Sequence, residues 1–148
     1  MRWVLVALRI ALGLFFIYAG ADKLSDPLAF AENIAEYDVF SIEVSTIAAR
    51  FLPVLEVLAG LTLVTGYGVL GGAAIIGTLN AIFAVLIGVA SARGLSIDCG
   101  CFTGSGKTGP LHVFFNLALC ALSIAIYWRA IVGVEKVTPA SNSNAPIS

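Results

Sequence analysis

Apolar residues fall in four long runs separated by short polar joints, and each run is long enough to cross a bilayer. A helix traverses ~30 Å of hydrocarbon in about 20 residues. Trp3–Ala21 is apolar except for Arg9, and Thr46–Gly66 contains Arg50, Pro53 and Glu56. Val69–Ala92 carries no charge, and Pro110–Trp128 holds His112, Asn116 and Cys120. The second and third runs meet at Gly66-Tyr67-Gly68, which predicts a tight helical hairpin. The pattern predicts an all-α, transmembrane four-helix bundle over residues 1–132 and a disordered tail over 133–148, rich in Ser, Asn and Ala at its end.

Between the first two runs, Asp26 is placed to cap a short helix that starts at Pro27. Phe30, Ile34 and Tyr37 share one face of it, while Glu32, Glu36 and Asp38 tend to the other. That is an amphipathic interfacial helix, serving either as a connection or as a lid over one end of the bundle. Arg2, Arg9, the run Ile10–Tyr18 and then Ala19-Gly20-Ala21 also imitate a signal peptide. Apolar character already begins at Trp3, so we read a retained first helix.

Composition agrees with a lipid environment. Of 148 residues 59% are hydrophobic and only 11% charged, against roughly 25% charged in soluble domains. A net charge of −1, with eight scattered Lys and Arg, supplies no basic patch for nucleic acid. Four spans put both termini and Tyr67 on one face, where Trp3, Tyr67, Tyr127 and Trp128 form an aromatic belt. Basic residues divide evenly between the faces: Arg2, Arg9, Arg129 and Lys136 against Lys23, Arg50, Arg93 and Lys107. Charge therefore does not orient the chain.

The third joint carries the densest chemistry: Asp98-Cys99-Gly100-Cys101-Phe102, then Gly104-Ser-Gly-Lys107-Thr-Gly109. Two of the three cysteines stand one glycine apart. A bridge between residues i and i+2 requires a tight bend, which Gly100 permits, and its small ring is strained. Strained, exposed disulfides exchange readily. Three readings stand: a thiol–disulfide exchange centre, a soft-metal site using Cys99, Cys101 and His112, or a passive clip. Asp98 opposes thiolate formation, whereas Arg93 and Lys107 favour it. A cycling disulfide needs an oxidising compartment, which places this joint outside the cytoplasm and both termini inside. The glycine-rich stretch is no phosphate loop, because its first glycine position is Cys101 and no strand precedes it.

Polar residues within spans are costly and face a bundle interior. Glu56, Asn80 and Cys120 lie near mid-span, and Arg9 about one turn away. We expect Arg9 and Glu56 to form a buried ion pair with Asn80 as a hydrogen-bonding partner; a proton relay or a quinone-headgroup site are the alternatives. Cys120 reads as a small packing residue. His112 and Asn116 follow one helix face towards the cysteine joint, and with Tyr18 could border a quinone.

The chain resembles the MauE/DoxX family of bacterial membrane proteins. The resemblance rests on Ala19-Gly20 followed by Lys23-Leu24 and Asp26-Pro27, then Pro53 with Glu56, then Asp98-Cys99-Gly100-Cys101-Phe102. The last run is the mark of the MauE-like branch; Thr103 departs from the glycine that often follows it. The resemblance implies a four-helix bundle distantly similar to quinone-linked thiol oxidants of the VKOR and DsbB type, set in the inner membrane. It also implies a role in forming disulfides, or in maturing an extracytoplasmic partner such as a thioredoxin-like protein. A soft-metal-binding or transport protein, with Arg9, Glu56 and Asn80 as an inner polar site, is the rival.

Overall fold

Capping chemistry sets the helix starts. Asp26 Oδ1 accepts the Ala29 N–H at 3.1 Å, and Pro27 occupies the first helical position of a short helix. Ser41 caps the next long helix in the same way, and Gly66 ends it in the left-handed conformation, at φ 86°. The computed structural model describes residues 2–94 and 110–137, with side chains over 3–94 and 112–133. Within these bounds the chain forms α1 (Arg2–Ser25), α2 (Pro27–Ala35), α3 (Ile42–Thr65), α4 (Val69–Ala92) and α5 (Pro110–Val137), with no strand among the described residues. The four long helices all meet the length and apolarity needed to span a bilayer.

α4 coincides with its apolar run, whereas the other three long helices extend beyond theirs. α1 continues four residues beyond Ala21, which brings Lys23 onto the helix. α3 begins at Ile42, four residues before Thr46. α5 continues to Val137, into the stretch expected to be disordered; the first helix-breaking proline after Trp128 is Pro139. Residues 138–148 of the expected tail lie outside the described residues.

α1 packs along α3 and α4 along α5, while α1 and α5 barely touch. The α1–α3 seam is tight because small residues let the backbones meet. A Cβ on Gly13 would stand 2.7 Å from the Gly60 carbonyl oxygen, and one on Gly60 would stand 2.6 Å from that of Gly13. Further along the seam, a Cβ on Gly20 would meet the Pro53 carbonyl oxygen at 2.7 Å. The main apolar core gathers Leu12, Phe16, Leu63, Ile76 and Ile126 between these helices.

The short helix α2 does more than connect. Its Phe30, Ala31 and Ile34 are buried with Ala49 of α3, while Glu32 and Glu36 stay exposed. The expected amphipathic face is therefore real, and it covers the end of the bundle opposite the termini.

Candidate functional site

At the α2 end of the bundle a polar cluster is assembled from α1, α3, α4 and α5. Lys23 of α1 donates from Nζ to both carboxylate oxygens of Glu56 on α3, at 2.8 and 2.9 Å. Their side chains are 6% and 2% exposed, so this is a fully enclosed ion pair. The Lys23 ammonium also lies over two aromatic rings, 5.4 Å from the centroid of Phe30 on α2 and 6.0 Å from that of Phe83 on α4. Ring faces carry partial negative charge and add to the attraction. With α2 counted, all five helices thus reach this cluster.

Asn80 of α4 and Asn116 of α5 complete the polar lining. Each donates one amide N–H to the carbonyl four residues back in its own helix: Asn80 to Ile76 at 2.8 Å, Asn116 to His112 at 2.9 Å. The cavity enclosed by Lys23, Glu56, Asn80, Asn116 and flanking phenylalanines is only about 20 Å³, which suffices for one water. A quinone ring does not fit it.

The expected Arg9–Glu56 pair does not form. Gly13 lies level with Gly60 and Gly20 with Pro53, so Glu56 stands level with Ile17. Lys23 is six residues from that level and Arg9 eight, on opposite sides. Side chains on a helix lean towards its N-terminus. On antiparallel α1 and α3, Lys23 and Glu56 therefore lean towards each other, while Arg9 leans away. The seven-residue spacing of Gly13 and Gly20, matched by that of Pro53 and Gly60, is the signal in the sequence that fixes this register.

Arg9 lies instead beside Gly66, near the termini. Pro53 is buried at the α1–α3 seam, and Asp26 with Pro27 starts α2. Cys120 packs against α4, its thiol directed at the Gly77 carbonyl at 3.5 Å, as a small packing residue should. Tyr18 is exposed on α1, and neither it nor the half-buried His112 lines the polar cavity that Asn116 does line. Among the described residues no three His, Cys, Asp or Glu side chains converge as a metal site. Asp98, Cys99, Gly100, Cys101 and Phe102 lie outside the described residues.

Comparison with known proteins gives a consistent result. The family described as methylamine utilisation protein MauE matches residues 1–129. The methylamine utilization protein MauE of Paracoccus denitrificans is 34% identical over 141 residues, which cover 93% of this chain and 74% of that relative. No solved structure matches.

Proposed function

This chain belongs to the MauE family, and on that premise we propose that it is a membrane thiol–disulfide exchange protein, or the electron-relay subunit of one. Cys99 and Cys101 carry the exchange. The Paracoccus relative is named for methylamine utilisation; in our reading this chain supports maturation of a partner protein whose disulfides form outside the cytoplasm. The observation that carries the reading is the Cys99-Gly100-Cys101 run between the ends of α4 and α5. It is supported by the enclosed Lys23–Glu56 pair in the same end of the bundle, which anchors α1 to α3 beneath that joint.

One round of exchange oxidises two partner thiols and reduces the Cys99–Cys101 bridge, and turnover takes a second, more oxidising disulfide protein. A partner thiolate attacks one sulfur of the Cys99–Cys101 bridge and forms a mixed disulfide. The partner's second thiol then resolves it, which leaves a partner disulfide and two thiols on Cys99 and Cys101. A more oxidising disulfide protein restores the bridge by the reverse exchange. In this reading the joint faces the periplasm or cell exterior, the termini face the cytoplasm, and the Lys23–Glu56 cluster is a structural anchor.

Thiol trapping in intact cells, followed by mass spectrometry, tests this. We expect Cys99 and Cys101 to be recovered in both bridged and reduced forms, shifting together when cells are treated with a reductant or an oxidant. Replacement of both by serine should leave the protein in the membrane and abolish mixed disulfides with the partner. Two cysteines that hold one oxidation state under every treatment would refute the proposal.

A further inference from the structure

A large cavity lies at the other end, where α1 and α5 separate. It has a volume of about 470 Å³ and opens between the start of α1, the α3–α4 turn and the second half of α5. Its walls are mostly apolar, formed by residues such as Val6, Val69 and Ile126, but two arginines border it, Arg9 and Arg129. The guanidinium of Arg9 lies against the Gly66 backbone, so that a Cβ there would stand 3.4 Å from both terminal nitrogens. Arg9 Nε is buried and meets no acceptor among the described residues. The sole ion pair among those residues is Lys23–Glu56, at the opposite end, so neither arginine is neutralised by a described carboxylate.

We infer that this cavity binds the headgroup of an anionic phospholipid, its phosphate held between Arg9 and Arg129 and its acyl chains lying along the α1–α5 gap. Three observations converge on lipid. A half-buried arginine whose buried Nε meets no acceptor among the described residues calls for an anion, and arginine recognises phosphate through paired N–H donors. The apolar walls call for hydrocarbon attached to that anion. The depth is interfacial: Trp3, Tyr67 and Trp128, all strongly exposed, ring the same end of the bundle where headgroups sit. Basic pockets between spans are known lipid-headgroup sites in general.

The test uses the full-length protein in dodecylmaltoside and native mass spectrometry. The probes are dioleoylphosphatidylglycerol, dioleoylphosphatidylcholine and inorganic phosphate. We expect one phosphatidylglycerol per chain, retained in clear preference to phosphatidylcholine, and no retained inorganic phosphate. Arg129 is exposed, so Arg129→Gln should fold normally and weaken phosphatidylglycerol binding about fivefold. Val6→Trp, at a partly exposed wall position, narrows the cavity, keeps both arginines and should also weaken it. Arg50→Gln, on an exposed part of α3 outside the cavity, should not. Equal retention of the two lipids by the wild-type protein would overturn the inference, as would unchanged phosphatidylglycerol binding in Arg129→Gln or in Val6→Trp. Inorganic phosphate retained as well as the lipid would show a free-anion site and would overturn it too.

Discussion

Lys23 and Glu56 together form a neutral unit, and separately each is a charge in a low-dielectric interior. Removing one partner from a buried pair typically costs about 3–5 kcal/mol, because the survivor remains buried without compensation. Lys23→Met should therefore destabilise the protein by about that amount in thermal unfolding in detergent. Lys23→Met combined with Glu56→Leu removes both charges and should recover most of the loss. A single variant as stable as wild type would mean that the pair contributes nothing to the fold. Three of the four polar residues of this cluster are legible in the sequence: Glu56, Asn80 and Asn116 stand out as polar residues in apolar runs. Its cation is not, because Lys23 follows the apolar stretch and reads as a joint residue. Only the extension of α1 to Ser25 and the inward lean of the two side chains bring it to Glu56.

The elements themselves were far more legible than their meeting points. Four apolar runs and the Asp26-Pro27 start identify every helix, since span length and capping are local properties. Which helix touches which depends on shape at single positions, and the decisive ones are glycines, which carry no hydropathy signal of their own kind. Gly13 and Gly71 make the contrast measurable. A side chain at Gly13 would run into the Gly60 carbonyl and Val64, whereas a Cβ at Gly71 would meet nothing within 4 Å. Gly13→Val should cost roughly 1–3 kcal/mol or more by forcing α1 from α3. Gly71→Ala should be neutral or stabilise by up to about 1 kcal/mol through higher helix propensity. Comparable unfolding of both variants would show that the seam is looser than its geometry.

Across the whole molecule the two ends differ in character. One end is closed: α2 covers it, and Lys23, Phe30, Glu56 and Phe83 bind the helices there together. The other is open, with a cavity between α1 and α5 bordered by two arginines. Basic residues divide evenly between the ends when counted from sequence, and one of them, Lys23, is held in an internal pair rather than at the surface. Orientation then has to be measured. In a background with Cys99, Cys101 and Cys120 replaced by serine, Tyr67→Cys marks the open end and Phe40→Cys, before α3, marks the closed end; both sites are exposed. A maleimide that cannot cross membranes should label Phe40→Cys in intact cells and Tyr67→Cys only after the cells are broken, because the cysteine joint shares the closed end and needs an oxidising compartment. The reverse pattern would turn Cys99 and Cys101 towards the reducing cytoplasm, where a cycling disulfide of this kind has no oxidant, and thiol exchange would lose its physical basis. Labelling of both sites in intact cells would break the four-span topology itself.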